Sequence, residues 1–275
     1  MVAPTRLWAQ GPYGLSCAAI CDTPRIFSPC LRTDLQTMMK FILASQNAHK
    51  AQEFASAITT HTIEPAPHGI DVDENETSFL GNARLKARAY ANAFQCNALA
   101  DDSGLCVDAL NGDPGIHSQR FAIMPPDIDD DPDRTAANNR KLLRLLNDVP
   151  KDKRTAHFTC ALCLVIVQPK DIKEIVELAS ASHNHTLFSF FDKNNHEVDA
   201  CSKEIARAEI ALEAHAPGRI LTECHGKAGF GYDPLFYCPE TQCTFAELTQ
   251  QQKLAVSHRG RAIKALKTVL SSSTP

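Results

Sequence analysis

From residue 40 onward, short apolar runs alternate with longer segments of helical period. Lys40-Phe41-Ile42-Leu43-Ala44-Ser45 is almost wholly apolar and predicts a buried strand. A polar turn follows, then a helix over 48–59. A second helix is predicted over 77–94, rich in Ala and positive along one side through Arg84, Lys86 and Arg88. Asn97-Ala98-Leu99-Ala100 predicts a strand that ends at Asp101-Asp102-Ser103-Gly104. Such alternation implies an α/β fold with a central sheet, in which ligands gather where strands end and helices begin.

Farther along, five Asp crowd residues 127–133. A calcium loop is excluded there, because Pro132 stands where such a loop needs Gly and Asn138 where it needs a bidentate Glu. Asp131-Pro132 reads instead as an N-cap with Pro in the first turn of a helix reaching residue 147, which buries Leu142, Leu143, Leu145 and Leu146. The run 158–167 predicts a central strand. Its Cys160 and Cys163 would point to opposite faces, which makes them buried thiols rather than a metal pair. Residues 168–205 turn polar, with His183, His185 and His196 among several Asn, and read as a solvated insertion. A strand over 206–214 and an amphipathic helix over 257–270 complete the pattern.

Composition narrows this picture. The 275 residues suit one large domain or two lobes sharing a core, and 22% charged with 44% hydrophobic residues excludes wholesale disorder. Lys plus Arg number 28 against 32 for Asp plus Glu, a formal charge of -4. That balance excludes a broad basic surface for nucleic acid but leaves room for a local phosphate pocket. No run approaches the ~18 apolar residues of a membrane span. The eleven Cys are odd in number and scattered, unlike a secreted disulfide scaffold, so a reducing compartment, the cytoplasm, is expected. Residues 1–39 are Pro-bearing and lack an apolar period. They read as a disordered extension, or as translated from upstream of a start at Met38 or Met39; a targeting peptide is the alternative.

Four islands carry chemistry. Ser45-Gln46-Asn47-Ala48-His49-Lys50 joins a strand to a helix, where backbone N–H groups, a hydroxyl and an ammonium suit a polyphosphate. Asp101-Asp102-Ser103-Gly104-Leu105 offers carboxylates that point opposite ways, one of them able to hold a divalent cation or accept a proton from water. Asp71, Asp73, Glu74 and Glu76 could complete such a site. Gly229-Phe230-Gly231-Tyr232-Asp233-Pro234 sets an aromatic between glycines, a platform for a flat ligand. Lys253 and Ser257-His258-Arg259 place cationic donors at a helix entry.

In order and wording these islands resemble the inosine triphosphate pyrophosphatase family. Gly112-Asp113-Pro114-Gly115-Ile116-His117-Ser118-Gln119-Arg120 and Phe245-Ala246-Glu247-Leu248 extend the resemblance, which runs from about residue 40 to 270. Ser45-Gln46 stands where the family usually has Thr-Gly, and His117 where it has Tyr.

The resemblance implies a long mixed sheet flanked by helices, two lobes with a nucleotide cleft between them, and a homodimer. It implies that non-standard purine nucleoside triphosphates are cut to monophosphate and pyrophosphate with Mg²⁺. Asp102 would bind the metal and accept the proton of the attacking water, with Asp73 or Glu74 as the further metal ligand. Ser45, Asn47 and Lys50 would hold phosphates, with Ser103 and Lys253 nearby. Phe230, in the segment with Gly231 and Tyr232, would stack on the base. Asp233, His258, Arg259 and Arg120 would read its edge. Arg259 can only donate, so at the C6 edge it would favour a 6-oxo purine over adenine.

Overall fold

The structure, a computed structural model, describes residues 38–126, 128–182 and 184–271. Residues 1–37, most of the expected N-terminal extension, lie outside them, as does His183 of the polar segment. The elements run β1 (Lys40–Leu43), α1 (Ala48–Ala57), β2 (Thr62–Pro65), α2 (Phe79–Phe94), β3 (Ala98–Val107) and α3 (Arg134–Leu145). They continue with β4 (Thr155–Ile166), α4 (Pro169–Ala181), β5 (Phe188–Phe191), β6 (Glu197–Val198) and β7 (Arg207–Ile220). Strands β8 (Phe236–Cys238) and β9 (Cys243–Thr244) precede α5 (Gln250–Val256) and α6 (His258–Ser271).

Among the described residues, nine strands form one mixed sheet of order β2-β1-β3-β4-β7-β5-β6, with β8 on β7 and β9 on β8. Strand β1 is parallel to β2 and β3, as strand–helix–strand crossovers require. All remaining pairs are antiparallel. Period-2 alternation along β4 feeds two cores at once. Cys160, Leu162 and Leu164 pack on Phe54, Ile175 and Leu266 from α1, α4 and α6. Ala161, Cys163 and Val165 pack instead on Ala83, Ala87 and Tyr90 of α2. The two cysteines therefore face opposite sides, and burial pushes both thiols up to about 12. At the other end of the long strands, Leu105, Phe158 and Ile220 pack on Leu142 of α3 and on Phe236 and Phe245.

Three expectations change. The Asp-Asp-Ser-Gly motif lies in mid-strand, because β3 continues to Val107 through the buried Leu105 and pairs with β4 along its whole length. The cap of α3 is Asp133, whose side chain accepts from Ala136 N at 3.0 Å, while Asp131 accepts from Asp133 N. The segment 168–205 is more than a solvated loop. Pro169 opens α4, which buries Ile172, Ile175 and Leu178, and β5 pairs with β7.

Candidate functional site

Two cavities meet beside β3. The smaller, ≈ 320 Å³, is lined by Ser45, Gln46, Glu74, Lys86 and Asp101. The larger, ≈ 460 Å³, is lined by Ser103, Phe158, Phe230, Tyr232, His258 and Arg259. Asn47, Lys50 and Gln119 line both and so mark the junction. A roomier groove of ≈ 830 Å³ beside α1, α5 and α6 holds none of the expected site residues, so chemistry rather than size selects the paired cavities.

The smaller cavity is built from charge. Alternation along β3 sends the adjacent carboxylates apart. Asp101, 1% exposed, meets Lys50 Nζ at 2.9 Å and Arg259 Nη2 at 3.2 Å. Burial alone would raise its pKa, but Lys50, Arg259 and Lys86 hold it well below the usual carboxylate range. Ser103 Oγ donates to the same carboxylate at 3.0 Å. Asp102 faces α2, where Lys86 Nζ lies 3.0 Å from its Oδ1 and 3.0 Å from Glu74 Oε2. Asn82 Nδ2 donates to Asp102 Oδ2 at 3.4 Å. Burial raises the Asp102 pKa despite the opposing Lys86. Burial disfavours the Lys86 ammonium too, but Asp102, Asp101 and Glu74 outweigh it and raise its pKa. Where β1 gives way to α1, Ser45 Oγ accepts from Asn47 N at 3.2 Å and Asn47 Oδ1 from Lys50 N at 3.4 Å. These bonds fix the helix start that lines the cavity.

The larger cavity is built from rings. Phe230 is 36% exposed, with Lys253 Nζ 4.3 Å from its ring centre. Gly229 has φ 79°, and a Cβ there would collide with the Asp233 carboxylate, so the turn demands glycine. That carboxylate accepts from Phe230 N at 2.8 Å and from Lys253 at 2.5 Å. Burial raises the Asp233 pKa against these partners. His258 stacks on Phe158 with centroids 4.7 Å apart. Burial, reinforced by Arg259 and Lys253, pushes its pKa well down, so the imidazole is neutral. Glycine is required again at 104, where a Cβ would strike the Gly115 carbonyl and Ser118 Oγ. Without it the 115–118 turn could not form a wall of the cavity.

Ser45, Asn47, Lys50, Ser103, Phe230, Gly231, Tyr232, Asp233, His258 and Arg259 thus share one continuous cleft. Several of the expected site residues meet partners that the sequence did not announce. Arg259 is 2% exposed and gives its guanidinium to Glu53, at 2.6 Å, as well as Asp101. Lys253 sits against the Phe230 ring and pairs with Asp233 rather than lining the smaller cavity. Arg120 Nη2 lies 3.1 Å from His117 Nδ1 and lines a separate cavity of ≈ 630 Å³ with Asp73 and Glu74. Asp73 is exposed and accepts from Asn75, so Glu74 is the acid that Lys86 joins to Asp102.

The model of the Ham1 family matches residues 41–182 and 182–269. The chain belongs to the Ham1 family. A dITP/XTP pyrophosphatase of Desulforamulus reducens is 38% identical over 238 residues, 85% of this chain and 96% of that protein. One from Rhodopirellula baltica is 37% identical over 250 residues, 87% and 99% of the respective chains. Among solved structures, a HAM1 protein from Coxiella burnetii is 32% identical with a TM-score of 0.61, covering 86% of this chain and all (100%) of that one.

In this Ham1 chain the sequence reading missed Lys86 as a residue lining the cleft, and Asn82 and Glu53 as the partners of Asp102 and Arg259. A signal existed for the first two. Asn82 and Lys86 are four apart on an Ala-rich helix, so they share one face. Glu53 stands on α1 with no mark of its distant partner Arg259.

Proposed function

We propose that this Ham1 protein hydrolyses non-standard purine nucleoside triphosphates, deoxyinosine and xanthosine triphosphates among them, to monophosphate and pyrophosphate. The observation that supports it most directly is the joining of a charged cavity to an aromatic one at Asn47, Lys50 and Gln119. A nucleoside triphosphate has that same division, with polyanion at one end and flat base at the other. The names of the relatives supply the class of substrate.

In this reading Ser45, Asn47 and Lys50 bind phosphates beside the start of α1, where N–H groups and the helix dipole favour anions. Phe230 stacks on the base, and neutral His258 meets its edge in a buried setting. Asp102 accepts a proton from the attacking water, a role that its raised pKa suits. Water then forms the new bond to the α-phosphorus, the bond from that phosphorus to the oxygen bridging the β-phosphate breaks, and pyrophosphate leaves.

The donor set fits Mg²⁺: two hard carboxylates, Asp102 and Glu74, converge on one positive charge, here the Lys86 ammonium. When bound, Mg²⁺ would neutralise phosphate charge and make water more acidic. The working form is a homodimer, as the resemblance implies, and its odd number of scattered cysteines suits the cytoplasm.

The test is a panel of inosine, xanthosine, guanosine and adenosine triphosphates with Mg²⁺, measuring pyrophosphate and orthophosphate separately. Pyrophosphate from the first two is expected, and none in chelator. Orthophosphate as the first product, or full turnover in chelator, would overturn the reading.

A further inference from the structure

The two walls of the larger cavity come from distant parts of the chain. One is the turn region 115–124, the other the aromatic loop 229–233. Both are tied to consecutive residues of α3, Asn138 and Asn139, which are 5% and 7% exposed. Successive residues of a helix point about 100° apart, so one helix can reach two walls. Asn138 Oδ1 accepts from Ala122 N at 2.7 Å, and its Nδ2 donates to the carbonyls of Ser118, at 3.1 Å, and Gln119, at 3.2 Å. Lys141, one turn on, donates to the carbonyls of Phe121 and Met124. On the other side Asn139 Nδ2 donates to the Gly231 carbonyl at 3.0 Å. A direct tie closes the frame, Tyr232 Oη donating to the Ser118 carbonyl at 2.9 Å.

Gly231 is the residue after Phe230 and has φ 61°. With that backbone freedom its peptide needs an external partner to hold one orientation, and Asn139 supplies it. The other end of the Asn139 amide is the telling detail: Oδ1 is buried with no hydrogen-bond partner among the described residues. A buried acceptor left unmade is costly, so packing alone does not account for an amide here. What the amide does accomplish is to pin the aromatic loop.

We propose that Asn139 is a positioning residue that aims Phe230 through the Gly231 carbonyl, while Asn138 holds the facing wall, so that α3 sets the gap the base enters. This inference rests on the proposed triphosphate hydrolysis. Asn139 lines neither cavity and acts on the base only through the Gly231 carbonyl.

Asn139→Ala removes the donor and the orphaned acceptor together, so folding is expected to survive, checked by thermal unfolding. KM for inosine triphosphate should rise about tenfold, the worth of one ordinary hydrogen bond. The kcat and the inhibition constant for pyrophosphate, which needs only the smaller cavity, should stay within about twofold. Tyr232→Phe, which cuts the other tie, should move KM in the same direction. An unchanged KM, or equal weakening of pyrophosphate inhibition, would overturn the proposal, since the latter means a general loosening. If Asn139→Ala does not fold, Tyr232→Phe decides by the same measurements. Parent protein that releases no pyrophosphate from any nucleoside triphosphate would instead overturn the reading beneath it.

Discussion

The two cavities share a border yet treat charge in opposite ways. Around the smaller one, Lys50, Lys86 and Glu74 line it and Asp102 pairs with Lys86, all through contacts near 3 Å that an incoming phosphate or cation can replace. Around the larger one the charges are turned on each other: Asp233 with Lys253, and Arg259 with Glu53 and Asp101. What that cavity presents beside them is ring surface and a neutral imidazole, with Lys50 and Arg134 as the further cations on its lining. The difference follows from the ligands each suits. A polyphosphate is bound by charges that can re-pair, whereas a flat base is bound by shape and by desolvated groups that must not move. The same Asp101 serves both sides, as anchor for Lys50 and as counter-ion of Arg259.

The sharpest break of this comparison is Asp102→Asn, which keeps shape but removes the proposed proton acceptor. Turnover should fall by ~10²–10⁴-fold with the unfolding transition little changed. Parent-like turnover would move the proton-accepting role elsewhere, with Asp101 next in line.

Arg259→Met should register as stability. It leaves Asp101 and Glu53 buried without their cation, and losing one partner of a buried ionic group typically costs about 3–5 kcal/mol. Urea unfolding measures that, and the inosine-to-adenosine ratio of kcat/KM should hold. A narrowed ratio at unchanged stability would return the guanidinium to the base edge.

Phe230→Ala removes the stacking platform and should cost about 1–3 kcal/mol in kcat/KM for inosine triphosphate. Pyrophosphate inhibition should not change. An equal loss in both would mean that the loop supports the whole cleft.

The smallest effect separates the carboxylates by pH. The folded pKa of Asp102 is raised, so it protonates before an ordinary carboxylate as pH falls, and turnover declines there. The folded pKa of Asp101 is lowered, so its stabilising contribution is present above the unfolded carboxylate value and is lost only well below it. Turnover and circular dichroism across acid pH should therefore reveal a window in which the protein is folded, inactive and restored by neutralisation. Coincident loss of both signals would show that the two carboxylates do not differ.

Much of this was legible from pattern. The helices at 48 and 77, the β4 run with its two oppositely facing cysteines, and the islands of the cleft all depend on local period and turn chemistry. The strand through Asp101-Asp102-Ser103-Gly104 was cut short because those residues are ordinary turn formers. Pairing with β4 overrides that preference, and Gly104 is selected by the turn packed over it. Helix α4 was hidden by the Asn and His that follow it, although Ile172, Ile175 and Leu178 carry the period.

The sequence by itself determined which groups are available: two adjacent carboxylates that alternation must send apart, a hydroxyl and ammonium at a helix start, and an aromatic between glycines. Only the tertiary structure decided whom each group meets. Glu53 and Arg259 are far apart along the chain, as are Lys86 and Asp102, or Asn139 and Gly231, and no local rule links them. Once buried, a charge or amide must take whichever partner lies within about 3 Å, because leaving it unpaired in a low-dielectric interior costs more than any local preference it could satisfy. Hence Arg259, which the sequence offers as a reader of the base, also pairs with Asp101 and Glu53, partners that no local pattern announces.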